Sequence, residues 1–166
     1  MSRINTRNTV ATLVSATVLA GGLAVAAQPA SAAERPANDL FNRAEGLTSQ
    51  GCEASTDGTN VGARGQAAEQ AMPGAAPVHS VWFKWRSPVS DTVVIDTEGS
   101  DFDTVLGVYR GRSLRSLRVI DINDDAEGAA DLSSEVTFEA RRNVTYRIAV
   151  DGFRAQRGDY VLNVVC

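Results

Sequence analysis

Apolar and polar residues alternate in short segments along the chain after position 80. Val81, Phe83 and Trp85 alternate with Trp82 and Lys84, so one face of this segment is apolar throughout. A period of two predicts a β-strand with one buried face. The same period, or a β-branched composition, predicts the other strands. The predicted strands are 57–63, 80–86, 91–97, 103–110, 118–122, 134–140, 144–150 and 159–166.

Turn-forming residues separate these segments, and no convincing amphipathic helix lies between them. Asn38 or Asp39 is expected to cap one short helical turn, and 66–78 is expected to be a long surface loop in which 66–72 forms at most one helical turn. About eight strands joined by turns indicate an all-β protein rather than alternating strands and helices. We therefore predict an antiparallel jelly-roll-like β-sandwich of about eight strands.

The first 32 residues have the features of a secretory signal peptide. Arg3 and Arg7 precede an uncharged apolar run at 10–27, and the small residues at 30–32 fit a cleavage site. A membrane anchor is the alternative, but Gly21-Gly22 and the cleavage site favour the signal peptide. We expect a secreted domain at 33–166 that has no membrane association after cleavage.

Charge narrows the class of partner. The 166 residues include 16 Lys+Arg and 20 Asp+Glu, a net charge of −4. Removing the signal peptide removes two arginines and no acids, so the mature domain is more acidic still. An acidic secreted domain argues against nucleic acid as the partner.

Two cysteines are present, Cys52 and Cys166. Export favours a disulfide between them, because oxidising compartments preserve such bonds. Two unpaired thiols are the alternative. Zinc is not expected, since two distant cysteines and the single His79 do not have metal-ligand spacing.

Six segments of the sequence occur together in one order. They are Asn38-Asp39-Leu40-Phe41 with Ala44 and Leu47, Gly58-Thr59-Asn60-Val61-Gly62-Ala63, Ser80-Val81-Trp82-Phe83-Lys84-Trp85, 95–106, Asn123-Asp124-Asp125 and 145–152. This order resembles the bacterial pre-peptidase C-terminal domain family and is similar to the collagen-binding domains of bacterial collagenases. The resemblance implies a non-catalytic jelly-roll-like module, usually appended to secreted peptidases, and calcium binding in the collagenase modules. We expect the module to stand without a preceding peptidase domain, and therefore to act alone or on a separate partner.

Calcium prefers oxygen ligands on loops, and two groups of residues offer them. The first group is Glu34, Asn38 and Asp39, to which the resemblance points, with Asp57 as a further candidate. Val78-His79-Ser80 stand where similar modules carry acidic residues. The second group follows from loop positions: Asp101, Asp103, Asn123, Asp124 and Asp125, which come to one end of the sandwich if their strands pair. The alternative is structural, since Asp and Asn also accept backbone hydrogen bonds in turns.

Two further features offer binding surfaces. Trp82 is on the opposite face of its strand from Trp85, and an exposed tryptophan could stack on a sugar or seat a protein ligand. The alternative is that this face lies under the preceding loop or that both faces are buried. Four arginines also recur closely and form either a basic stripe for an acidic partner or a solvated connection. They are Arg110, Arg112, Arg115 and Arg118.

Catalysis has little support in the sequence. His79 is the only histidine, and no G-x-S-x-G nucleophile motif is present. We expect a monomeric, secreted, non-catalytic module that binds an extracellular protein or polymer, with structural calcium as its only candidate cofactor. The alternatives are an accessory module that aids the folding, export or inhibition of a secreted peptidase, and an undetected hydrolase that uses His79.

Overall fold

The structure is a computed structural model and describes residues 34–72, 77–126 and 132–166. The predicted signal peptide at 1–32, and the membrane anchor that was its alternative, lie outside these residues. Among the residues that are described, no helix is long and apolar enough to cross a membrane.

Nine strands and three single-turn 3-10 helices form the described part of the chain. The strands are β1 (Glu45–Gly46), β2 (Ala54–Thr59), β3 (Val81–Arg86), β4 (Thr92–Asp96), β5 (Thr104–Arg110), β6 (Arg118–Asn123), β7 (Glu135–Glu139), β8 (Thr145–Gly152) and β9 (Asp159–Val165). The 3-10 helices are Phe41–Arg43, Leu114–Ser116 and Phe153–Ala155.

The strands form two sheets that pack as a sandwich. The five-stranded sheet has the order β1-β3-β8-β5-β6, and the four-stranded sheet has the order β2-β9-β4-β7. Neighbours pair antiparallel except β1, which runs parallel to β3. Strands β2 to β9 pass between the sheets in the order of a jelly roll, and the predicted fold class is confirmed.

The seven strands predicted after position 80 are confirmed to within two residues at each end. The strand predicted at 57–63 is instead β2, which begins at Ala54, and β1 was not predicted. The expected helical turn is the 3-10 helix Phe41–Arg43, but its N-cap is Leu40 rather than Asn38 or Asp39. Residues 66–72 contain a turn and no helix.

Aromatic and β-branched side chains fill the space between the sheets. Val81, Phe83 and Trp85 of β3 are fully buried there, as their alternation predicted. Aromatic rings of the two sheets pack edge to face across this space. The Phe83 and Tyr160 rings, for example, have centroids 5.5 Å apart. Full burial stabilises each such side chain by about 1.5–3 kcal/mol, so this layer is the main source of stability.

A second apolar cluster covers the outer face of the five-stranded sheet. Trp82, Val105, Tyr109 and Ala149 come from the sheet, and segments outside it cover them. The covering residues are Phe41, Ala44, Met72 and Leu117. The central strands of this sheet are therefore buried on both faces.

A disulfide joins Cys52 to Cys166, with the two Cα atoms 5.9 Å apart. Strand pairing explains the geometry, because β2 and β9 are antiparallel neighbours with Ala54 opposite Val164. The two cysteines lie just beyond this pair. The predicted disulfide is confirmed.

Candidate functional site

Four arginines line a groove of about 800 Å³ at one end of the sandwich. Arg110 is the last residue of β5, Arg118 the first of β6 and Arg147 the third of β8, while Arg112 lies in the connection from β5 to β6. The other described residues that line the groove are uncharged, and we refer to it as the arginine groove.

The connection between β5 and β6 is held in a tight conformation beside the groove. Gly111 has φ = 152°, and a Cβ at this position would lie 2.7 Å from the carbonyl oxygen of Ser116. Glycine therefore permits the 3-10 helix Leu114–Ser116 to fold back against β5. The Ser113 N–H donates to the Ser116 hydroxyl at 3.2 Å, and the Ser116 N–H donates to the Ser113 carbonyl at 3.0 Å. These contacts fix the backbone that carries Arg112.

Strand register places like charges opposite one another in this region. Arg110 and Arg118 are direct partners in the β5–β6 pair, and Arg147 of β8 is opposite Lys84 of β3. Like charges directly opposite destabilise an antiparallel pair, on the order of 0.2–1 kcal/mol each. None of the four arginines of the groove forms an ion pair with a carboxylate of the described residues. The groove therefore holds uncompensated positive charge.

Arg147 is the most constrained of the four arginines. Its guanidinium carbon lies 4.7 Å from the centroid of the Phe41 ring, within cation–π distance. Burial lowers the pKa of Arg147, and its buried Nε has no hydrogen-bond partner among the described residues. An unsatisfied buried donor is costly, so this placement of Arg147 lowers the stability of the protein.

The predicted carboxylate loops lie at the opposite end of the five-stranded sheet. Leu106 of β5 is opposite Asn123 of β6, so the loop before β5 and the loop after β6 meet at one end, as expected. Burial raises the pKa of Asp103, and the charges of Asp125 and Asp124 raise it further, while Arg154 lowers it. The structure thus brings Asp103 close enough to Asp124 and Asp125 for their charges to disfavour its ionised form.

The other two members of the loop group have structural hydrogen bonds. Asp101 Oδ1 accepts the Asp159 backbone N–H at 2.7 Å, and Asn123 Oδ1 accepts the Glu135 backbone N–H at 3.1 Å. The turn-stabilising alternative therefore accounts for Asp101 and Asn123. It does not account for the proximity of Asp103 to Asp124 and Asp125.

The N-terminal group is tied to protein partners. Asp39 is 1% exposed, its Oδ1 accepts the Arg64 N–H, and its Oδ2 lies 3.1 Å from the Arg35 guanidinium. Asn38 Nδ2 donates to the Tyr160 hydroxyl at 3.4 Å. Glu34, at the start of the described residues, is exposed.

No group of three or more His, Cys, Asp or Glu side chains within 34–72, 77–126 and 132–166 is arranged to hold a metal ion. Calcium also takes amide and carbonyl oxygens and water. Calcium binding therefore stays a prediction.

Trp82 does not form an exposed binding surface, and that expectation was wrong. The residue is 2% exposed, and its ring contacts Phe41 and Tyr109 at centroid distances of 5.2 and 5.9 Å. Its indole N–H donates to Glu69 Oε1 at 3.3 Å. The alternative holds, because Phe41 and the loop that carries Glu69 cover this face of the sheet.

Glu69 is a half-buried hydrogen-bond acceptor for which the sequence carries no clear signal. Its carboxylate also accepts the Ser80 hydroxyl at 2.6 Å and the Gln66 N–H at 3.0 Å. Burial raises the pKa of Glu69, and the charge of Asp151 raises it further, although these hydrogen bonds lower it. Glu69 therefore attaches the loop to the sheet at an electrostatic cost.

His79 has structural contacts. Its Nδ1 lies 3.0 Å from the Ala63 carbonyl oxygen, and its backbone N–H donates to Asp151 Oδ1 at 3.1 Å. Asp151 is fully buried and also accepts the Val78 and Gly152 backbone N–H groups. These contacts hold the chain where it enters β3.

Comparisons with known proteins leave the family open. No family model matches the chain, and no curated protein matches it. Among solved structures, the chain is similar to PliG of Aeromonas hydrophila, a periplasmic inhibitor of g-type lysozyme. The match has 13% sequence identity and a TM-score of 0.47, and covers 73% of this chain and 93% of that one. The resemblance to the pre-peptidase C-terminal family stays a prediction.

Proposed function

We propose that the protein is a secreted, non-catalytic β-sandwich module that binds anionic groups of an extracellular protein or polymer. The observation that carries this proposal is the arginine groove. Arg110, Arg112, Arg118 and Arg147 line it without an ion-paired carboxylate among the described residues, in a chain whose net charge is −4.

The electrostatics of the groove favour an anionic ligand. A carboxylate, sulfate or phosphate placed between Arg110 and Arg118 would convert a repulsive cross-strand pair into two attractive contacts. It would also bring negative charge to Arg147, which lines the same groove without an ion-pair partner among the described residues. Arginine suits this role, because its planar fork binds such groups through two hydrogen bonds.

A non-catalytic role is supported by the contacts of His79. The ring Nδ1 of His79 lies against the backbone carbonyl of Ala63, and the backbone N–H of His79 donates to the carboxylate of Asp151. The partner is proposed to be a protein or polymer outside the cell. A secreted peptidase, as the family resemblance implies, is one protein partner within this proposal.

Calcium binding at the carboxylate loops is a further part of the proposal. No three of the described carboxylates are arranged to hold a metal ion, so a calcium ion here would take most of its ligands from backbone oxygens and water. Its charge would offset the repulsion from Asp125 and Asp124 that helps to raise the pKa of Asp103. Asp101 and Asn123 are less available, since turns use their side-chain oxygens. Asp39 already has Arg35 as its cation, so the loop group is the site we propose.

The test compares binding to immobilised poly-glutamate and to heparin by surface plasmon resonance. The double variant Arg110→Glu/Arg118→Glu is expected to bind both at least about tenfold more weakly, since hydrogen bonds to charged groups contribute about 1.5–3 kcal/mol each. The control is Arg141→Glu/Arg157→Glu, which makes the same charge change at exposed positions that do not line the groove. Equal losses in both double variants, or no anion binding by the wild type, would contradict the proposal.

A further inference from the structure

A second groove, of about 670 Å³, adjoins the arginine groove. Arg112 and Arg147 line both grooves, and the connection from β5 to β6 forms a wall of each. The two grooves are therefore parts of one continuous surface. We refer to the second as the Phe41 groove.

The Phe41 groove differs in chemistry from its neighbour. Leu40, Phe41 and Leu114 supply apolar surface, and the exposed Ala67 and Ala68 also line it. Its polar lining residues, besides the two arginines that it shares with the arginine groove, are Asn42, Gln66, Ser113 and Arg115. Phe41 and Leu114 also pack against the apolar cluster beneath, which contains Trp82. The floor of this groove is thus an extension of a packed layer, which makes it rigid.

Arg147 lies where the two grooves meet. Its guanidinium packs over the Phe41 ring at 4.7 Å, while its position on β8 places it beside the other arginines. An apolar anchor flanked by charges is the usual arrangement of a protein-recognition surface. Carbohydrate polyanions offer sulfates and carboxylates but no aliphatic or aromatic side chain for the Phe41 groove.

We infer that the occupant of this surface is a protein segment in which an apolar side chain adjoins two or more carboxylates. The apolar side chain packs into the Phe41 groove against Phe41 and Leu114. The carboxylates bind Arg110, Arg112 and Arg118 in the arginine groove, and Arg147 contacts both parts. This inference rests on the proposed function and deepens it, because it selects a protein over a polymer as the partner.

The experiment uses three blocked peptides and heparin as probes. The first peptide is a run of glutamates with one central phenylalanine, the second has serine in place of the phenylalanine, and the third has glutamines in place of the glutamates. The first is expected to bind the purified protein roughly tenfold more tightly than the second, because it buries the aromatic ring. The third is expected to show no measurable binding.

Two variants test apolar binding in the Phe41 groove separately from carboxylate binding in the arginine groove. Ala67→Tyr fills the Phe41 groove from an exposed turn, and Leu114→Ser removes part of its apolar wall. Both variants should reduce the affinity for the phenylalanine peptide to that for the serine peptide. Neither should change the affinity for the serine peptide. Val165→Ser, an exposed apolar position on the other sheet, is the matched control and should change neither. The Ala67 variant keeps the test valid if Leu114→Ser does not fold.

The outcomes separate the two claims. Equal binding of the phenylalanine and serine peptides, or binding of heparin alone, would overturn the inference while the proposed anion binding stands. A phenylalanine advantage that survives Ala67→Tyr would also overturn it. Failure of every anionic probe to bind would overturn the inference together with the proposed function.

Discussion

Arg118→Glu is expected to stabilise the free protein while it weakens anion binding. Arg118 is exposed and lies opposite Arg110 in the β5–β6 pair, and neither residue has an ion-pair partner among the described residues. Reversing one charge turns a repulsive cross-strand pair into an attractive pair. A gain in stability that accompanies weaker anion binding would link the groove to function.

The size of the stabilisation expected for Arg118→Glu follows from the strand register. A cross-strand charge pair contributes roughly 0.2–1 kcal/mol in either direction, so the change spans about 0.4–2 kcal/mol. Both side chains are exposed, and solvent screening places the value near the lower end, about 0.5–1 kcal/mol. For a domain of this size, that corresponds to a rise in Tm of about 2–4 °C.

Thermal melting at low and at high salt checks this prediction. Arg118→Gln, which only removes the repulsion, should fall between the wild type and Arg118→Glu. Because salt at about 1 M reduces the screening length to about 3 Å, the differences should shrink there. A Tm for Arg118→Glu at or below the wild-type value in low salt, or a gain that salt does not reduce, would refute the reasoning.

Three further predictions concern other parts of the fold. Cys52→Ser/Cys166→Ser should lower the free energy of unfolding in urea by up to about 4–5 kcal/mol, because the bond closes a loop with a sequence separation of 114; a loss below about 1 kcal/mol would contradict this. Glu69 has a raised pKa in the folded protein, so its protonated form favours folding. The free energy of unfolding of the wild type should therefore rise relative to that of Glu69→Gln below pH 4.5, the ordinary Glu value, and this gain should be lost as the pH rises through the pKa of Glu69 in the folded state. A pH-independent difference between the two proteins in urea unfolding would contradict this prediction. Calcium should raise the Tm of the wild type above its value in chelator, and Asp103→Asn should reduce that rise; equal melting curves would exclude a stabilising site.

The sequence predicted the strands whose alternation is clear. Apolar residues at every second position of β3 locate one buried face correctly. The position predicted for β2 was wrong, because Ala54–Thr59 consists of small and polar residues that show no alternation. Its place is set by pairing with β9, which no local pattern records.

Burial of the second face of the five-stranded sheet could not be predicted from periodicity. Trp82 sits between Phe83 and Val81 of the inner face, and its burial depends on Phe41, which is distant in sequence, and on Met72 in the loop before β3. The arginine groove shows the same limit. Arg110, Arg112, Arg115 and Arg118 form a visible stripe in the sequence, but Arg115 lines the Phe41 groove and not the arginine groove. The register of β8 is needed to add Arg147.

The central claim is that the arginine groove binds anionic groups of a partner. Its most direct test is a ¹H–¹⁵N NMR titration of the purified protein with poly-glutamate, which follows both the backbone amides and the arginine Nε–H groups. We predict saturable shifts centred on Arg110, Arg112, Arg118 and Arg147, with the carboxylate-loop end, including Asp101 and Asp159, unchanged. Shifts confined to other surfaces, or none at saturating polymer, would contradict the account.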